Sequence, residues 1–319
     1  MPQYSRNVIY FPFINVPQKS WFSNVLLYWE KVYSIVPYSH KTYPILMTPY
    51  MRDMVAEHLV IPLSPIQYLD KILDFEEKFL SYVDRPDYPI PRTNKIRDSL
   101  PTEPIHLEKL GNLSSGLEDR HLASNSNYPW FNVESYTANQ FMLYLSTELG
   151  KIDDISGKPV TDSEINYPLF NVQSNKKLQP IISKIRPIVL DALLPSPLNS
   201  IDPRDILSFK DDHKNLLISF RNNIEEEIIN IASNPDPILQ EELLATFIAE
   251  KKTQIYEIIQ VMEERKWDVS FSKLLGYCIS NINATAGSIF SDLFQKNEIK
   301  APENIAYAVI ASQKYQPQS

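Results

Sequence analysis

The sequence predicts a mixed α/β or α+β fold, with a modest sheet and a helix-rich C-terminal part built on a long antiparallel helical hairpin. Three observations carry this. Short apolar runs closed by proline, Val8–Phe11 before Pro12 and Tyr33–Val36 before Pro37, read as buried strands ended by a residue that cannot donate to a ladder. Between them Phe22, Val25, Leu26, Trp29 and Val32 recur at helical spacing, behind Ser20 as N-cap. From Asp202 to Trp267 two long helical patterns follow with only a few residues between them. The division expected is a mixed α/β region over 1–200 and a helix-rich region over 201–319 packed on it, or one continuous domain.

In chain order, the strand, helix, strand unit at the start favours parallel pairing, with one longer helix to Ile35 as the alternative. Thr48–His58 reads as a short helix, Leu59–Ile61 as a strand, and Pro65–Val83 as a helix through Ile66, Leu69, Ile72/Leu73 and Phe79. Residues 84–104, rich in proline and charge, read as an exposed connection. Ile105–Leu110 alternates like a strand, Gly111–Tyr128 reads as a polar loop, and Ser135–Leu149 as a helix ended by Gly150. Lys158–Thr161 and Ile188–Leu194 are the next strand candidates, the second before Pro195-Ser196-Pro197.

The first long helix starts at Asp202 as N-cap with Pro203 in the first turn. Ile206, Phe209, His213, Leu216, Leu217, Phe220, Ile224, Ile228 and Ile231 form one stripe. Glu225-Glu226-Glu227 is expected to be its solvated outer face. Asn234-Pro235-Asp236-Pro237 breaks and restarts the helix, and Leu243, Phe247, Ile255, Ile258 and Met262 carry a second stripe. Each helix would be about 45 Å long at 1.5 Å per residue. Ser270–Ser280 reads as a third helix, and Ile305–Ala311 as a final helix or strand.

Composition narrows function by exclusion. Formal charge is −8, from 31 basic and 39 acidic residues, which argues against broad nucleic-acid binding. Arg92, Lys95 and Arg97, or Lys176, Lys177, Lys184 and Arg186, are read as ordinary solvated surface. One cysteine, Cys278, in an apolar setting, and no charged-then-apolar leader, point to an intracellular chain. No apolar run is long enough for a membrane helix. The six glycines are too dispersed for a phosphate loop, so no cofactor is expected.

The run Tyr10-Phe11-Pro12-Phe13-Ile14, Trp21, Leu26-Leu27-Tyr28-Trp29-Glu30-Lys31 and Ile35-Val36-Pro37 resembles the opening of an uncharacterised bacterial family, a domain of unknown function. Pro159-Val160-Thr161-Asp162, and Asp205-Ile206-Leu207 with Phe209-Lys210, His213, Leu217 and Phe220-Arg221, fit the same family. The resemblance implies a bacterial origin and one shared architecture, and carries no catalytic residues.

No motif carries chemistry outright. The histidines are His40, His58, His106, His121 and His213; none lies in HExxH or at zinc spacing beside a cysteine, so no metal site is expected. His213 reads as a core histidine on its stripe. Acid/base groups crowd in two places, His106 with Glu108 on one face of a strand and Asp119 with His121 in a loop, and these four are the catalytic candidates. Pro235-Asp236 and Glu250-Lys251-Lys252 satisfy a nuclease spacing, but lie about 20 Å apart along one helix, too far to share an ion. No GxSxG elbow is present. Tyr38, Tyr43, Tyr50, Tyr128 and Trp130, in proline- or serine-rich segments, suit a binding surface.

The function expected is that of a noncatalytic interaction or scaffold protein of the bacterial cytoplasm, with a protein partner or homo-oligomer. An accessory role in a multiprotein system such as antiviral defence is included in that reading. The alternative is a hydrolase or nuclease with an unfamiliar acid/base site.

Overall fold

The structure is a computed structural model and describes residues 6–90, 100–162, 178–194, 202–264 and 303–315. The chain divides into two compact units, one of residues 1–18 and 29–166, the other of 19–28 and 167–319. The fold is mixed α/β with two small sheets and a helix-rich C-terminal part.

In the first unit, β1 (Asn7–Tyr10), β2 (Lys31–Ile35), β3 (Val60–Leu63) and β7 (Gly157–Val160) form a parallel sheet in the order β3-β2-β1-β7. Val8, Ile9 and Tyr10 of β1 and Val32 to Ile35 of β2 are all buried, as expected for inner strands covered on both faces. The outer strands each contain a proline, Pro62 in β3 and Pro159 in β7, where a missing donor costs no ladder bond. A second, antiparallel sheet has the order β4-β6-β5, from β4 (Thr102–His106), β5 (Ala123–Asn127) and β6 (Trp130–Glu134).

A helix, Ser135–Gly150, follows β6 directly. Glu134 caps it, its carboxylate accepting from the backbone N–H groups of Tyr136 and Thr137 at 2.9 and 2.7 Å, where the positive helix end favours an anion. Phe141 and Tyr144 of this helix pack on Phe75 and Phe79 of helix Phe75–Val83, with Phe75 stacked on Tyr144 at 4.9 Å. Gly150 is the last residue of the helix: a Cβ there would lie 2.0 Å from the Gly157 carbonyl, so the close approach of helix to β7 requires glycine.

Several expectations are corrected in this unit. Pro65–Val83 is not one helix but two 3₁₀ turns, Pro65–Gln67 and Leu69–Lys71, before helix Phe75–Val83; Ile66 and Leu73, counted on the apolar stripe, are exposed. The strand expected over Ile105–Leu110 ends at His106 and turns into the short helix Leu107–Leu110. The expected polar loop holds helix Leu113–Asp119 and β5. The segment is polar because β5 is largely exposed, and side chains that pack little leave no apolar period to read.

The second unit is helical. Ser20–Tyr28, Leu178–Leu193, Pro203–Asp212, Lys214–Ala232, Pro237–Glu264 and Glu303–Tyr315 are its described helices. Asp202 caps as expected, accepting from the Arg204 N–H at 2.8 Å, and Asp236 accepts from Ile238 at 2.9 Å. The cap role of Asp236 also removes it from the nuclease reading. The first long helix is broken at His213, whose backbone leaves helical geometry (φ −119, ψ 23). His213 still bonds back to Phe209 and accepts from Leu217, so the apolar period runs unchanged through the break.

Ile206, Phe209, Leu216, Leu217, Phe220, Ile224, Ile228 and Ile231 are buried. Helix Lys214–Ala232 packs chiefly on Glu303–Tyr315 and Leu178–Leu193, with Tyr307 against Phe209 and Phe220. The strand expected at Ile188–Leu194 is part of helix Leu178–Leu193: Ile182, Ile185, Val189 and Leu193 are buried at intervals of three and four, a helical stripe that the β-branched run masked.

Glu225 is the clearest correction. Expected in solvent with Glu226, it is fully buried, whereas Glu226 is exposed. Arg186, expected on the surface, is also buried and grips the Glu225 carboxylate through Nε and Nη2 at 2.6 and 2.7 Å. Tyr28 donates to the same carboxylate at 3.2 Å, while Arg221 donates to the Tyr28 carbonyl and Tyr307 to that of Leu27. Two carbonyls at the C-terminus of helix Ser20–Tyr28 are thereby satisfied from two other helices.

Among the described residues no helix is long and apolar enough to cross a membrane. Arg92, Lys95, Arg97, Lys176, Lys177, Cys278 and the helix expected at Ser270–Ser280 lie outside the described residues.

Candidate functional site

The loops leaving the carboxyl ends of β1, β2 and β3 meet the short helix Leu107–Leu110, and the titratable groups of the first unit concentrate there. Such an edge is where open α/β sheets receive ligands, beside the point where strand order reverses. Here that point lies between β1 and β7, where the Tyr10 hydroxyl donates to Asp162 at 3.1 Å.

His106 ends β4 and caps the short helix: its Nδ1 accepts from the Glu108 N–H at 3.2 Å. The lone pair is therefore on Nδ1 and the proton on Nε2. The Glu108 side chain turns to the other strand exits and accepts from the Tyr38 backbone N–H. Lys109, one residue on, points inward and is 4% exposed; its Nζ donates to the Pro12 carbonyl at 3.2 Å. Successive residues of a helical turn point in different directions, so one short helix ties down the exits of both β1 and β2. Gly111, which ends it with φ +59, takes a backbone conformation that a side chain would strain.

His40, on the turn Tyr38–Thr42, places its ring edge-to-face with His106 at 6.4 Å, and Trp130 meets the other side of His106 at 5.1 Å. Burial lowers the pKa of both histidines; Lys109 lowers them further and Glu108 opposes the shift. Burial also lowers the Lys109 amine to about 7. The cluster thus holds three nitrogen bases whose charged forms are disfavoured, with one carboxylate committed to a backbone amide.

The rim of this edge is apolar. Phe13 after β1, Tyr38, Tyr43, Ile45 and Leu46 after β2, and Ile66 after β3 are large side chains left exposed, Ile45 at 74%. Lys41 bonds Gln67 at 2.7 Å and Thr48 bonds Asn15 at 2.9 Å, which holds the rim segments to one another.

Of the four candidates from sequence, His106 and Glu108 come together and Asp119 and His121 stand apart. Asp119 is the last residue of helix Leu113–Asp119, and His121 takes a positive φ just beyond it. Among the described residues no hydrogen bond or ring contact joins either to His106 or Glu108. Their neighbours are structural ties: Arg120 forks onto Asp84 at 2.8 and 2.7 Å, and Glu118 accepts from the Asn125 N–H. His40 and Lys109 were missed. A strand reading of 105–110 sends Lys109 to the face opposite Glu108 without burying it, and nothing local links residue 40 to residue 106.

Among the described residues no group of three or more His, Cys, Asp or Glu side chains is placed to hold a metal. The arrangement at His106 accounts for part of this, because Nδ1 is used as the cap acceptor and Nε2 carries the proton. The chain matches no family model, no curated protein and no solved structure.

Proposed function

We propose that the protein is a noncatalytic interaction protein whose first unit presents the carboxyl edge of its parallel sheet to a protein partner. The observation that carries this is the exposed apolar rim formed by Phe13, Tyr38, Tyr43, Ile45, Leu46 and Ile66. Large exposed apolar patches mark interaction sites and are otherwise a solubility liability, and aromatic side chains are favoured as anchors. The acid/base groups beside the rim hold loops in place: His106 as a cap, Glu108 on Tyr38 and Lys109 on Pro12. The stripe of helix Lys214–Ala232 is covered within its own unit. The family resemblance supports a bacterial origin; a cytoplasmic setting and an accessory place in a multiprotein system such as antiviral defence belong to the same proposal.

A second reading, an acid/base hydrolase or nuclease, is favoured by one feature, the bases His106, His40 and Lys109 in one cluster, whose charged forms burial disfavours. Purification from the native host separates the two. For the interaction protein, Ile45→Asp with Leu46→Asp removes a stoichiometric partner while the melting temperature is unchanged, and Ile238→Asp with Leu239→Asp, at exposed positions of the second unit, leaves the partner bound. Biological activity lost in His40→Asn, with folding and partner retained, sinks this reading and promotes the enzymatic one.

A further inference from the structure

We propose that the carboxyl edge of the first unit binds a small oxyanion, a carboxylate or a phosphate, through the Lys109 amine and the Nε2–H of His106. The inference rests on the reading of this edge as the recognition surface and adds the chemistry at its centre.

The geometry of Lys109 is the starting point. A buried ammonium requires a counter-charge or several acceptors, and among the described residues Lys109 has one acceptor, the Pro12 carbonyl. Its sequence neighbour Glu108 does not serve, being turned to the Tyr38 amide. The charged and titratable groups facing the amine are His40 and His106, both bases, and Glu108 beyond them. His106 offers a second donor, because its Nδ1 is already occupied and the proton stands on Nε2. A third polar group lies at the same edge: the Ser64 hydroxyl at the exit of β3 is fully buried with no hydrogen-bond partner among the described residues, next to the turn Pro65–Gln67 that packs on helix Leu107–Leu110. Donors in excess of acceptors, in a desolvated place with an apolar rim, fit an anion whose oxygens supply what the fold leaves out.

Binding must carry a proton with it. The oxyanion favours the ammonium form, so an amine held near 7 in the free protein is protonated on binding. No bond to carbon forms or breaks.

The test is calorimetric titration of the full chain with acetate and, separately, with sulfate, which stands for a phosphate dianion and does not itself titrate between pH 6 and 9. The expected result is saturable binding of at least one anion, with an apparent enthalpy that depends on the buffer's heat of ionisation in the sense of proton uptake. The dissociation constant should rise about tenfold per pH unit above about 7, and should be at least tenfold weaker in Lys109→Met. Acetate alone assigns a carboxylate ligand, and sulfate alone a phosphate. Failure of both to bind at pH 6.5, binding without proton uptake, or equal binding by a folded Lys109→Met overturns the proposal; should that variant not fold, proton uptake by the wild type decides. Ile45→Asp with Leu46→Asp should keep the anion and lose the partner, so failure of the anion site leaves the interaction reading separately testable.

Discussion

Each unit buries basic side chains, and Arg186 in one and Lys109 in the other settle the cost of that burial in opposite ways. In the second unit Arg186 meets Glu225 through two parallel hydrogen bonds, and Tyr28 donates to the same carboxylate. In the first, Lys109 meets, among the described residues, one backbone carbonyl and no carboxylate. The difference follows from residue type. A guanidinium cannot shed its proton and stays charged, as Arg186 does against Glu225; an amine can lose its proton and remain. A buried ion pair therefore fixes register in the helical unit, whereas a buried neutral amine leaves the sheet edge a donor in reserve.

The strongest test of that contrast is Glu225→Ala, which removes the carboxylate opposite Arg186 and should destabilise the second unit by about 3–5 kcal/mol in denaturant melts. Replacing both partners with apolar residues, Arg186→Leu with Glu225→Met, should recover most of the loss. A single variant as stable as the wild type would break the comparison.

Lys109→Met should have the opposite sign, raising stability by about 1–3 kcal/mol at pH 7, because it removes a buried amine without a counter-charge. Its pH dependence sharpens the point. Between about 7 and 10.5 the unfolded chain holds the Lys109 proton and the folded chain does not, so wild-type stability rises with pH across that window. The advantage of Lys109→Met, measured as a difference in melting temperature, should shrink as pH is raised from 7 towards 10.

Glu108→Ala should cost about 1 kcal/mol, the worth of the acceptor it supplies to the Tyr38 amide, and should loosen the turn Tyr38–Thr42, read as faster amide exchange there. Glu226→Gln is the smallest effect. On the exposed face next to buried Glu225, it should shift stability by less than about 0.5 kcal/mol, and a loss as large as that of Glu225→Ala would refute the distinction between these neighbours.

Local physics was sufficient for much of the architecture. The proline-closed apolar runs Val8–Phe11 and Tyr33–Val36 are parallel strands because a strand covered on both faces has few alternatives to a continuous apolar run. The caps Asp202 and Asp236 were legible because a helix start needs an acceptor for its own orphan N–H groups within two or three residues. The stripe from Ile206 to Ile231 was legible through its period, even across the break at His213.

What the sequence withheld depends on residues far apart in the chain. Glu225 reads as solvated beside Glu226 and Glu227 until Arg186 and Tyr28, from two other helices, converge on it. Lys109 and His40 carry no signal of their own, because their state is set by burial against β1, β2 and β4, and desolvation belongs to the assembled fold. His106 and Glu108 were named from sequence as a crowded acid/base pair, but only the turn from strand to helix after His106 gave them separate tasks, one as a cap and one as an acceptor for Tyr38. Period and capping are short-range and survive in a string of letters; the protonation and direction of a buried polar side chain are decided by what packs around it.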